Sequence, residues 1–137
     1  MKSSIVLTIL AVAALTACSS IPPAQRNAQL LARYSDYAGP RVSDFRYYGH
    51  FQTFQPLGRD KLFVRTGVND AYLISVFPCF NLEFATRIGV TSSLGAVRSG
   101  FDDVIAEGER CRISGIRPVN YKQLRADLKE SGEKLIG

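Results

Sequence analysis

Apolar positions change their spacing several times along this chain, and each change marks an element. Ala28, Leu31, Tyr34 and Ala38 recur at helical intervals from Ala24 to Tyr37, with Pro23 near the start and Gly39-Pro40 after the end. An N-terminal helix is predicted there. From Asp44 to about Thr53 the period drops to two, with Phe45, Tyr47, Gly49 and Phe51 on one side and Arg46, Tyr48, His50 and Gln52 on the other. That is the pattern of a half-buried strand. Pro56 to Asp60 reads as a turn, Lys61 to Thr66 as a strand, Gly67 to Asp70 as a second turn and Ala71 to Phe77 as a third strand. Because Tyr72 to Phe77 is apolar on both faces, this last strand is expected at the centre of a sheet covered on both sides.

Pro78 ends that strand. Leu82, with Ala85 or Thr86, gives Asn81 to Arg87 the spacing of a short helix. Ile88 to Thr91 and Ala96 to Ile105 read as strands, Glu107 to Arg110 as a hairpin turn, and Cys111 to Ile116 as the closing strand with a break of phase at Gly115. Asn120 and Gln123 fit a helix N-cap and its reciprocal partner, while Tyr121, Leu124 and Leu128 share one face of a C-terminal helix that Gly132 stops. No repeat of 20 to 50 residues interrupts the plan. The expected fold is a single small α+β domain, a mainly antiparallel sheet of five or six strands with N- and C-terminal helices.

The amino end obeys different rules. Lys2 precedes the apolar run Ile5 to Ala17, which ends in small residues and reads as a secretory signal peptide over 1–17. At about 1.5 Å per residue that run covers roughly 20 Å, short of the roughly 30 Å needed to span a bilayer core. Leu15-Thr16-Ala17-Cys18 resembles the bacterial lipobox, so Cys18 is the expected lipidation site; cleavage after Ala17 without acylation is the plain alternative. Several acyl chains, each buried methylene worth about 0.8 kcal/mol, would make the membrane a partner through Cys18 alone. Ser19 rather than Asp follows the cysteine, which by resemblance to Gram-negative lipoprotein sorting favours the outer membrane, facing the periplasm. Residues 18–23, ending Pro22-Pro23, form a short stiff tether ahead of one globular domain over 24–137.

Charge and cysteines narrow the chemistry. Without residues 1–17 the chain keeps sixteen basic and twelve acidic side chains, and its arginines are scattered rather than clustered. Nucleic acid is therefore not an expected partner; an envelope protein or cell-wall material is, with the oligomeric state left open. One histidine and three cysteines are too few for a convincing structural zinc site, and no cofactor is expected. In an oxidising compartment Cys79 and Cys111 are expected to pair, closing a loop worth roughly 3.5 to 4 kcal/mol in the chain-entropy model. The alternative is a thiol redox pair, with Arg110 and Arg112 beside Cys111, although Cys-x-x-Cys spacing is missing.

Tyr37-Ala38-Gly39, Pro56-Leu57-Gly58, Tyr72-Leu73, Cys79 to Ala85, Ile88 to Ser92, Phe101-Asp102-Asp103-Val104, Cys111-Arg112-Ile113 and Ile116 to Val119 together form a distinctive set. Over about Arg33 to Asn120 the chain resembles a family of small proteobacterial lipoproteins, the domain of unknown function 6491. The resemblance implies an exported domain with a cysteine pair. It brings no activity and no catalytic residue.

Three constellations remain. His50 is the sole candidate general base near neutrality, but it falls on the solvated side of its strand and no Gly-x-Ser-x-Gly nucleophile turn accompanies it. Asp102, Asp103, Glu107 and Glu109 lack the calcium-loop pattern and read as a solvated hairpin, with Asp102 accepting hydrogen bonds from a nearby turn. Arg46, Tyr48, His50, Gln52 and Phe54 make the best candidate contact surface, since Tyr and Arg give large area with polar tips. The function expected is a non-catalytic binding or structural module of the envelope, not an enzyme. The rivals are a small periplasmic hydrolase using His50 and a thiol redox protein using Cys79 and Cys111.

Overall fold

The computed structural model describes residues 20–133, so the expected signal peptide, Cys18 and Ser19 lie outside the described residues. Helix α1 (Pro23–Asp36) is followed by eight strands, β1 (Asp44–Arg46), β2 (Thr53–Pro56), β3 (Lys61–Arg65), β4 (Asp70–Val76), β5 (Ile88–Val90), β6 (Ala96–Arg98), β7 (Asp103–Ala106) and β8 (Glu109–Asn120), and then by helix α2 (Tyr121–Ser131). Six strands form one antiparallel sheet in the order β2-β3-β4-β8-β7-β5, and β1 pairs with β6 as a separate antiparallel ribbon. This is the expected α+β domain, with helices at both ends.

The central strand separates two cores, as its two-sided apolar pattern requires. Tyr72, Ile74 and Val76 of β4 face a core with Leu62, Val64, Val97 and Ile113, roofed by the β1–β6 ribbon and the loop 77–87. Ala71 and Leu73 face the opposite way, toward Tyr34, Phe63, Leu124 and Leu128 beneath the two helices. The register between β4 and β8 slips after Ser75, which pairs with Gly115 while Val76 pairs with Ile113. Ser114 is therefore the extra residue of a bulge, at the predicted break of phase.

Asn120 caps α2 by accepting a hydrogen bond from the Gln123 amide N–H at 3.1 Å, and Gly132 closes the helix in the left-handed region at φ 71°. The reciprocal half of the expected cap does not form. The Asn120 N–H already donates to the Tyr37 carbonyl at 2.8 Å, and the Gln123 side chain turns to Asp127.

Three expectations are corrected. Of the strand expected over Asp44 to Thr53 only β1 (Asp44–Arg46) forms in place: residues 47–52 are irregular, the chain turning through Gly49 at φ 92°, and β2, in the other sheet, starts at Thr53 and runs on to Pro56, where a turn was expected. Likewise Ala96 to Ile105 divides into β6 and β7 at Gly100, φ 82°, where the Arg98 carbonyl accepts from the Asp102 N–H. No helix forms over Asn81 to Arg87: Leu82 donates to the Cys79 carbonyl and Ala85 to the Leu82 carbonyl, three-residue turns that bury both side chains without continuing. The closing strand is also longer than expected, running through Pro118 to Asn120. Pro118 has no N–H to give, but its carbonyl accepts from Gly39, so the connector after α1 continues the pairing on that edge.

Candidate functional site

Cys79 and Cys111 are disulfide-bonded, with Cα atoms 5.9 Å apart and both residues buried in the ribbon-side core. The bond ties the loop after β4 to the start of β8. A redox centre needs an approachable sulfur; Cys79 and Cys111 are only 3 and 2% exposed.

The acidic set is more committed than a solvated hairpin. Asp102 is buried, accepting from the Arg98 N–H at 2.7 Å with one oxygen and from the Thr91 hydroxyl at 2.8 Å with the other. That is the turn-stabilising role expected of it. Asp103, also buried, holds Arg112 at 2.6 Å and Arg110 at 3.1 Å. Glu107 accepts from the Thr86 N–H and hydroxyl and the Arg87 N–H, at 2.8 to 3.1 Å, and Glu109 accepts from the Asn81 N–H at 2.9 Å. Because those donors favour the charged carboxylate, they hold Glu107 below the usual glutamate range. All four carboxylates thus fasten backbone or guanidinium groups. Among the described residues no group of three or more His, Cys, Asp or Glu side chains is placed to hold a metal ion.

The expected contact strip divides. Arg46, Tyr48, His50 and Gln52 are exposed, but Phe54 turns inward against the ribbon-side core. The reason is register: Phe54 belongs to β2 and pairs with Val64, whose side chain faces that core. Beyond Arg46 the remaining polar residues occupy the irregular stretch around Gly49, so no single strand face presents them. Among the described residues His50 has no side-chain hydrogen-bond partner, and nothing orients it as a base.

Arg46 and Tyr48 nevertheless come together, lining an open cleft of about 450 Å³ with Asp44, Tyr47, Leu94 and Ala96. Leu94 is the unforeseen member. Ser93 and Ala96 exchange backbone hydrogen bonds at 3.0 and 3.1 Å across a two-residue turn whose central residues, Leu94 and Gly95, have φ of 54° and 73°. Such a turn favours Asn-Gly or Asp-Gly, since both centres need positive φ. Here a leucine occupies the first centre and is 99% exposed. A strained apolar side chain held in water gains nothing for the fold, and strain of this kind gathers at functional sites. The turn is fixed against the cleft by the Tyr47 N–H, which donates to the Gly95 carbonyl at 2.8 Å. Its sequence signal was Ser93-Leu94-Gly95 between two short strands, with Leu where the turn chemistry calls for Asn.

A family model described as "Family of unknown function (DUF6491)" matches residues 1–134. The chain belongs to this family. No curated protein and no solved structure matches it. In this DUF6491 chain no described helix is long and apolar enough to cross a membrane.

Proposed function

We propose that this protein is a lipid-anchored component of the cell envelope, held at the outer membrane by acyl chains on Cys18, and that it binds an envelope protein without catalysing a reaction. The anchor reading is supported by the sequence of residues 1–18, above all Leu15-Thr16-Ala17-Cys18. The binding reading is carried by one observation: Leu94, fully exposed in a strained turn beside Arg46 and Tyr48. An exposed leucine flanked by an arginine and a tyrosine is the composition of a small contact centre, in which aromatic and guanidinium groups give the most energy per residue. A hydrolase is less well supported, since His50 lies outside the cleft and lacks an orienting partner. A thiol enzyme is disfavoured by the burial of both sulfurs.

Two experiments test the reading. Labelled palmitate is expected in the wild-type protein and absent from Cys18→Ala; equal labelling, or none in either, ends the anchor. A photo-crosslinking amino acid at position 94 in living cells is expected to give one discrete protein adduct, weakened at least tenfold by Tyr48→Ala with Arg46→Ala. An adduct pattern unaffected by those changes removes the cleft as the contact.

A further inference from the structure

Two pairs of arginines gather closely in this chain, around different things. Arg110 and Arg112 flank Asp103, whose two oxygens take one guanidinium each. Arg65 of β3 and Arg125 of α2 flank Tyr121 instead, their guanidinium carbons 5.2 and 5.5 Å from the ring centroid. A ring attracts a cation but cancels no charge. Two like charges drawn to one ring still repel each other, and only an anion relieves the repulsion.

Among the described residues no carboxylate supplies it. Arg65, Lys122, Arg125 and Lys129 form no ion pair within 4.0 Å. Asp70 alternates with Ala71 on β4 and so faces the ribbon side, where its charge acts on Tyr72. Asp127 is committed to the Tyr37 hydroxyl and the Gln123 amide, and Glu130 stands about 13 Å of helical rise beyond Tyr121.

The partners that the two arginines do have are neutral. Paired with Ala71, Arg65 points to the helix side, where its Nη2 donates to the Thr53 hydroxyl over 3.4 Å and its Nε is buried with no acceptor. Arg125 Nη2 donates to the Asn69 side-chain oxygen at 3.1 Å. These contacts hold both guanidinium forks in place and leave their charge unspent, an arrangement that costs the fold rather than stabilising it. Beside them Tyr121, Lys122, Arg125 and Lys129 line an open groove of about 560 Å³ along α2.

A held guanidinium fork offers parallel N–H groups to a planar or tetrahedral oxyanion, and three cations without a resident carboxylate call for more than one negative charge. We propose that Arg65, Arg125 and Lys122, gathered about Tyr121, form a binding site for a phosphoryl group, carried by a small soluble phosphate ester or by the free phosphate ion. The site lies on the sheet face opposite the Leu94 cleft and depends neither on that cleft nor on Cys18.

Titration of the protein with inorganic phosphate, glycerol phosphate and acetate at constant ionic strength, followed through the arginine Nε–H signals in NMR, tests it. The signals of Arg65 and Arg125 are expected to shift and saturate with either phosphate at concentrations at least tenfold below those needed with acetate; tighter binding of the ester identifies an ester as the ligand, and equal binding the free ion. Arg125→Lys keeps the charge but removes the fork, and should weaken phosphate at least fivefold. Lys122→Ala should weaken it at least threefold, while Arg26→Ala, the same loss of charge on exposed α1, should leave it within twofold. Lys122 and Arg125 are exposed, so their variants are expected to unfold at the wild-type temperature, and Tm is measured for each. Shifts that do not saturate, no preference over acetate, or equal weakening by Lys122→Ala and Arg26→Ala would reveal a diffuse cationic surface and overturn the site.

Discussion

The two faces of β4 solve the same problem by different means. On the helix side, two regular elements satisfy their own backbone, and the side chains have only to be apolar and well shaped: Tyr34 stacks on Phe63 with ring centroids 4.0 Å apart, and the Tyr37 hydroxyl donates to Asp127 at 2.6 Å to join α1 to α2. On the ribbon side, the cover is two three-residue strands and a loop of irregular turns. Beyond the short β1–β6 ladder the backbone groups there have none to enter, so Asp102, Glu107 and Glu109 receive hydrogen bonds from them and a disulfide fixes the path. Irregular cover is stable where charged acceptors and covalent ties replace the missing periodicity.

The sharpest test of this division removes one leucine from each face. Leu82→Ala and Leu124→Ala should each cost about 2 to 5 kcal/mol, and because the sheet separates them the losses should add to within about 0.5 kcal/mol in urea denaturation. A coupling energy above about 1 kcal/mol would show that the faces do not act independently. Next in size is the disulfide: Cys79→Ala with Cys111→Ala should lower stability by up to about 4 kcal/mol. Hydrogen exchange should then quicken first in 77–87 and the β7–β8 hairpin, with α1 and α2 exchanging only on global unfolding. Equal early exchange in α2 would contradict the scheme.

The smallest effects are those of pH, and they are opposite on the two faces. Glu107 is held below its ordinary value of 4.5 by hydrogen bonds from Thr86 and Arg87. Its contribution is complete above that value and is lost as pH falls through the folded value. The amides of Thr86 and Arg87 should therefore loosen in acid, and Glu107→Gln should abolish that dependence. Burial of Tyr34 raises its phenol from 10.0 to about 12. The neutral ring is the one the helix side accepts, so its contribution is complete below pH 10 and is lost between 10 and about 12. Tyr34→Phe should flatten the alkaline limb of a stability profile.

What could be read in advance follows the same line. The helices, the central β4 and the cap at Asn120 were legible because each is a local pattern with one physical meaning. The ribbon side was not: Phe45 to Phe51 keeps its alternation in residue type even where Gly49 breaks the strand, and Leu82 with Ala85 mimics helical spacing through two isolated turns. Phe54 was misplaced because the alternation of residues 44–53 was carried on to it, whereas it belongs to β2 and pairs with Val64. Leu94 escaped notice because only the backbone angles reveal what a leucine is doing in that turn.

The dual allegiance of β4 has one further consequence. Its odd and even residues belong to different hydrophobic sets, so inserting or deleting a single residue between Asp70 and Val76 would turn Tyr72, Ile74 and Val76 toward the helices and expose both layers to the wrong shapes at once. This segment therefore has no tolerated half-step: it is either in phase with both neighbours or with neither.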